Sequence, residues 1–237
     1  MQADCWIAHR GLPARFPENS RPGLVAALKA GARWLEVDVQ LSRDGVAVLH
    51  HDRDLQRVAG IDGVVAAHPL AALQRLDFGE ASRLGDRFSG TPVCTLAEAT
   101  QLVAAADARL FVELKSVMLD AHSRDAIVAA VARGLGDHAD RAVVIAFDAT
   151  LVQAARGLTP EVGWILPSWE PASLERARSL AADYLFCNVR KIPPEPAPLP
   201  EVPSRWVVYV EDDAVAASRW LERGAWRVET DCHGGAA

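Results

Sequence analysis

A (β/α)8 barrel of the TIM type, with a small rim insertion after the second strand, is the α/β fold this sequence predicts. Eight short β-like runs alternate with Ala-rich helical runs, the pattern of a parallel sheet with crossover helices. The length of 237 residues suits one such barrel. Half of the residues are hydrophobic and 24% are charged, which permits a large core and argues against disorder. A doubly wound open sheet is the alternative that the same alternation allows. A single domain over 1–237 is expected, with residues 53–95 as the insertion.

The runs at 5–8, 34–40, 109–115, 142–146, 162–165, 184–188, 206–210 and 226–230 supply the eight strands. Helical runs at 20–32, 96–106, 120–134, 172–182 and 213–223 lie between them. A ninth β-like run, 46–50, follows the second strand too closely for a crossover, and Ser42-Arg43-Asp44-Gly45 reads as a turn, so this run returns antiparallel. With a four-residue loop, Leu41 pairs with Val46, and the same register sets His51 opposite Glu36. Residues 53–95 are turn-rich and weakly periodic, which predicts a segment on the rim, where barrels build specificity. Six prolines between Ile192 and Pro203 exclude a helix there and predict an extended connector. With Ala237 so soon after the eighth strand, no final covering helix is expected.

The net charge of −6, without a basic run, excludes nucleic acid as a natural partner. No apolar run approaches the roughly 18 residues of a membrane span, so no stable membrane insertion is expected. The start lacks a signal-peptide pattern, and Cys5, Cys94, Cys187 and Cys232 form no CxxC pair; both point to a cytoplasmic protein with reduced cysteines. Nothing in the sequence sets the oligomeric state.

The residues that carry chemistry gather at strand ends. His9-Arg10-Gly11 closes the first strand, at the mouth where barrel active sites lie. Strict alternation in the second strand puts Glu36 and Asp38 on one face and Leu35, Val37 and Val39 on the other. The apolar set suits the helix layer, so the carboxylates point inward, where unpaired charge is costly and a cation is required. The third parallel strand repeats the arrangement with Glu113 and Lys115. Glu36, Asp38 and Glu113 are the donors of a hard divalent cation, Ca²⁺ or Mg²⁺, rather than of zinc. Against those three charges, Arg10, Lys115 and one divalent ion leave a net +1, which favours an anionic substrate. His9 and His51 supply the acid and base that P–O cleavage needs near neutral pH. Pro17-Glu18-Asn19-Ser20 reads instead as a helix start, with Asn19 or Ser20 as cap. His50, His68, His122, His138 and His233 show no pattern and read as solvated or structural.

The sequence resembles the glycerophosphodiester phosphodiesterase family. The resemblance rests on Ile7-Ala8-His9-Arg10-Gly11, Pro17-Glu18-Asn19-Ser20, Glu36-Val37-Asp38, Asp44-Gly45, His51-Asp52 and Phe111-Val112-Glu113-Leu114-Lys115. Residues 73–77 and 91–93 look like the family's rim segment. The resemblance implies a barrel that hydrolyses a small glycerophosphodiester to an alcohol and sn-glycerol 3-phosphate with Ca²⁺ or Mg²⁺, a step of glycerol and lipid metabolism. It also implies Glu36, Asp38 and Glu113 as metal ligands, His9 and His51 as acid and base in either order, and Arg10 and Lys115 on the phosphate. A substrate hydroxyl would attack phosphorus, and water would open the cyclic phosphate.

Three departures from the family pattern fall on the far wall of the expected pocket. Ala146-Phe147 stands where the family commonly has Ser-Phe, losing a hydroxyl near the mouth. Tyr209-Val210-Glu211-Asp212 replaces a Trp-Thr-Val-Asn-like run, and Thr230-Asp231 continues to Cys232-His233. Two other functions fit the same residues. A lysophospholipase D-like headgroup hydrolase would use the apolar stretch 64–76 to hold an acyl chain. A barrel that binds phosphate without turnover is the other.

Overall fold

The computed structural model describes residues 5–194 and 197–232; His233 and the chain's two ends lie outside them. The strands are β1 (Trp6–His9), β2 (Trp34–Leu41), β3 (Ala47–Leu49), β4 (Arg109–Leu114), β5 (Ala142–Ala146), β6 (Glu161–Ile165), β7 (Tyr184–Asn188), β8 (Arg205–Tyr209) and β9 (Arg227–Thr230). All but β3 pair in parallel, in the order β1-β9-β8-β7-β6-β5-β4-β2, and β1 pairs with β2 to close the barrel. The open-sheet alternative is thereby excluded.

Period-2 alternation divides the core into two parts. Leu35, Val37 and Val39 of β2, with Leu110, Val112 and Leu114 of β4, pack outward against the helices. Ile7, Trp34, Phe111, Val143, Ile145, Ile165, Tyr184, Phe186 and Val207 fill the barrel interior. Trp34 stacks on Phe111 at 4.9 Å and Phe111 meets Tyr184 edge-on at 5.0 Å, plugging the end where the strands begin. Arg109 and Arg205 cap these rings and share Glu161. Polar inward residues are therefore concentrated at the opposite end, where the strands finish.

The helices start where local hydrogen-bonding chemistry allows. Ser20, not Asn19, caps the helix Arg21–Lys29 by accepting from the Gly23 N–H at 3.1 Å. Thr95 and Glu98 form a capping box at Leu96–Ala105. Asp148 caps Ala149–Ala154, a helix the sequence reading did not delimit. Between β7 and β8 the described residues hold only a single 3₁₀ turn, Val189–Lys191, consistent with the proline-rich connector.

Two expectations are corrected here. In the β2–β3 hairpin Leu41 pairs with Ala47, not Val46, and His50, not His51, follows into the ladder by donating its N–H to the Asp38 carbonyl at 3.0 Å. The cause is Ser42, which belongs to the ladder: its N–H donates to the Val46 carbonyl at 3.0 Å and its hydroxyl accepts the Val46 N–H at 2.9 Å. The loop shrinks to residues 43–45, with Gly45 at φ +74° supplying the left-handed turn. The second correction concerns 64–76. Val65 and Leu73 are fully buried in a separate small core with Val48, Leu55, Val58, Phe78 and Val93 and offer no acyl-chain surface, which leaves Val64, 37% exposed, as the large apolar side chain of the stretch that faces solvent.

Candidate active site

β1 delivers His9 and Arg10 to the mouth, and the next residues explain how. Arg10 and Gly11 both take positive φ, +48° and +91°, turning the chain sharply across the barrel rim. A Cβ on Gly11 would lie 2.8 Å from the Gly23 carbonyl carbon, so only glycine allows this approach. His9 stands in register with Glu36, and Asp38 with Glu113, so neighbouring strands set the side chains side by side.

Asp38 is completely buried and is the electrostatic hub. Arg10 Nε lies 3.0 Å from its Oδ2, Lys115 Nζ lies 3.2 Å from Oδ1, and Asn19 Nδ2 donates to Oδ2 at 2.8 Å. Asn19 Oδ1 in turn accepts the Asp38 backbone N–H at 3.0 Å. Burial alone would raise the Asp38 carboxyl, but Arg10 and Lys115 hold it well below the usual carboxylate range. Lys115 also contacts Glu113 at 2.6 Å. Burial raises Lys115's own neighbour Glu113, with Asp38 adding to the effect. Burial, then Asp38 and Glu229, drive Glu36 well above its ordinary value.

Glu36 is 2% exposed, and neither of its oxygens has a hydrogen-bond partner. One ligand atom each from Glu36, Asp38 and Glu113 falls within 4.8 Å of the others. An unpartnered buried carboxylate among two more is the donor chemistry of a hard divalent cation.

The two histidines are held differently. His9 Nδ1 lies 2.6 Å from Asp231 Oδ1 and its Nε2 lies 3.2 Å from Glu229 Oε1. Burial pulls His9 down, but Glu229 and Asp231 outweigh it and hold the ring above its ordinary value. His51 pairs through Nδ1 with Asp52 at 2.7 Å, and Arg57 bridges Asp52 to Glu18. Burial holds His51 below its ordinary value despite Asp38 and Asp52 nearby. His51 reaches the pocket because the chain leaves the ladder after His50, not through the register expected for it.

All seven expected residues converge: His9, Arg10, Glu36, His51, Glu113 and Lys115 line one cleft of about 120 Å³, with Asp38 fully buried against Arg10 and Lys115. Ile145, Phe147, Ile165, Phe186, Tyr209 and Val210 form its apolar wall. Ala146 is buried among the residues of the helix layer, so the Ser-to-Ala departure does not touch this wall; Phe147 does. Asp212 Oδ1 accepts from the Thr230 hydroxyl and the Asp231 N–H, both at 2.7 Å, and so fixes the end of β9 beside His9.

Sequence reasoning missed Glu229, Asp231 and Asn19. Glu229 is 5% exposed, and burial pushes its carboxyl up to about 7, partly offset by His9 and Arg10. The expected net charge is corrected accordingly: with Glu229 ionised and both histidines neutral, a fourth inward carboxylate lowers +1 to 0 with one divalent ion. The signal for Glu229 was the alternation used for Glu36 and Asp38, applied to 226–230, where Val228 faces the helices.

A (β/α)8 barrel whose mouth gathers buried carboxylates, two carboxylate-held histidines, an arginine and a lysine carries the groups that hydrolysis of a phosphate ester needs. The model of the glycerophosphoryl diester phosphodiesterase family matches residues 9–212. A Mycobacterium tuberculosis protein named probable glycerophosphodiester phosphodiesterase 1 is 32% identical over 186 residues, 74% of this chain and 68% of the relative. A Caldanaerobacter subterraneus glycerophosphodiester phosphodiesterase is 36% identical over 110 residues, spanning 46% of this chain and 44% of that protein. The structure of an Oleispira antarctica phosphodiesterase in complex with the product sn-glycerol-3-phosphate matches with TM-score 0.83 at 27% identity, over 97% of this chain and 93% of that one. The chain belongs to the glycerophosphoryl diester phosphodiesterase family.

Proposed function

We propose that this protein, acting as one barrel over its whole length with 53–95 as rim insertion, hydrolyses glycerophosphodiesters to an alcohol and sn-glycerol 3-phosphate. The observation that carries this reading is the unpartnered, buried Glu36 carboxylate beside Asp38 and Glu113, flanked by two histidines of opposite electrostatic bias. The product bound by the Oleispira antarctica phosphodiesterase supports the same product here.

Glu36, Asp38 and Glu113 would hold the divalent cation, Ca²⁺ or Mg²⁺. When bound, it would polarise the phosphoryl oxygens and favour ionisation of the attacking hydroxyl. Arg10 and Lys115 hold the remaining phosphoryl charge. His51, which burial holds below its ordinary value, takes the proton of the attacking substrate hydroxyl. His9, whose ring Glu229 and Asp231 hold above its ordinary value against the pull of burial, gives its proton to the departing alcohol oxygen. When water opens the cyclic phosphate the two roles reverse. The apolar wall around Phe147 and Val210 faces the departing alcohol. Four unpaired cysteines fit a cytoplasmic location, and no helix among the described residues is long and apolar enough to cross a membrane.

The test is release of glycerol 3-phosphate from glycerophosphocholine with Ca²⁺, with Mg²⁺ and with chelator. Turnover abolished by chelator and restored by one cation is expected. Absence of turnover in protein that binds either cation would overturn the proposed reaction.

A further inference from the structure

Glu229 introduces a carboxylate that the three-carboxylate centre does not use. Its ligand oxygen, one oxygen of Glu36 and a ring nitrogen of His9 lie within 4.8 Å of one another, a second trio that shares only Glu36 with the first. Among the described residues, no trio joins Glu229 to Asp38 or Glu113 within that distance. Two ligand atoms on one ion cannot be farther apart than twice the metal–ligand distance, about 4.2 Å for Mg²⁺ and about 4.6–5.2 Å for Ca²⁺. Glu229 therefore lies outside the shell of a Mg²⁺ ion held by the first trio.

Glu36 itself points to a second occupant. Both of its oxygens lack hydrogen-bond partners although the residue is buried, so an ion in the first trio held through one oxygen leaves the other available to a second ion. Its Oε2 lies 3.8 Å from His9 Nε2, on the Glu229 side.

We propose that His9 Nε2, Glu36 and Glu229 form a second divalent-cation subsite, with Glu36 bridging to the centre of Asp38 and Glu113. The proposal rests on the metal centre of the proposed function. An imidazole among two carboxylates selects a borderline cation such as Mn²⁺ or Zn²⁺ over Ca²⁺. Bridging by one carboxylate sets the two ions about 3.5–4 Å apart. An ion here takes the Nε2 lone pair of His9, so its occupation withdraws that nitrogen from proton transfer and inhibits the enzyme.

Calorimetric titration of chelator-stripped protein with Mn²⁺, alongside electron paramagnetic resonance, tests this. Two Mn²⁺ per chain with a magnetically coupled signal are expected for the wild type, and one uncoupled Mn²⁺ for Glu229→Gln. Glu229→Asp should keep two, the second bound at least tenfold more weakly. The retained ion in Glu229→Gln reports that the variant is folded, and the wild-type stoichiometry decides the question even if it is not. One Mn²⁺ per wild-type chain, or two in Glu229→Gln, would overturn the second subsite while leaving the proposed function standing. Binding of no Mn²⁺, Ca²⁺ or Mg²⁺ would overturn both.

Discussion

Replacing Asn19 with alanine removes both halves of its clasp on Asp38. The side-chain amide donates to the buried carboxylate at 2.8 Å, a hydrogen bond to a charged group that contributes about 1.5–3 kcal/mol. Its carbonyl oxygen accepts the Asp38 N–H at 3.0 Å, and orphaning that buried donor costs about 1–3 kcal/mol. Asn19 also sits at φ +51°, a conformation that Asn tolerates and that costs alanine about 1 kcal/mol. Together the loss is about 3.5–7 kcal/mol, a large share of the roughly 5–15 kcal/mol that holds a typical protein folded. In urea this is a midpoint shift of about 1–2 M. Asn19→Gly relieves the backbone strain but not the lost hydrogen bonds, so it should recover only the last kilocalorie. A midpoint shift under about 0.3 M for Asn19→Ala, with unchanged slope, would refute the hub role given to Asp38.

Glu36→Ala should weaken Mg²⁺ or Ca²⁺ binding at least tenfold by calorimetry, and unchanged affinity in folded protein would remove Glu36 from the metal centre. His51→Ala should lower kcat by about 10²–10⁴, the range for loss of a general acid or base, and an unchanged kcat would exclude it. Cation binding should strengthen with pH. Glu36, Glu113 and Glu229 all have raised values in the folded state, Glu229 up to about 7 from an ordinary 4.5. Without cation, the protons they retain stabilise the fold fully below the ordinary value, and that contribution is lost as pH rises through the raised ones. A divalent ion held by Glu36 and Glu113 displaces their protons, so the rise in Tm on adding Mg²⁺ should be larger at pH 7.5 than at pH 5. A pH-independent rise would contradict the raised values.

Much of the site was legible because it is written in short-range patterns. Period-2 alternation in β2 and β4 is local, so the inward direction of Glu36, Asp38, Glu113 and Lys115 follows from neighbours two residues away. Strand-helix alternation likewise determined a parallel sheet with crossover helices, but it allowed an open sheet as well as a barrel, and only the pairing of β1 with β2 closed it.

Tertiary structure decided what depends on distant partners or on a single side-chain bond. His9 meets Asp231 across 222 residues of sequence, and only pairing of β1 with β9 brings them together. Asn19 looked like a cap because Asn and Ser both cap helices; the folded chain gave the cap to Ser20 and turned Asn19 onto Asp38. The hairpin register hung on the Ser42 hydroxyl, one hydrogen bond that moved every pair in β3 by a residue. Propensity and periodicity specify which face a residue occupies, since that is fixed by backbone geometry. Barrel closure specifies which residues share the mouth, since strand pairing joins segments that no sequence window contains.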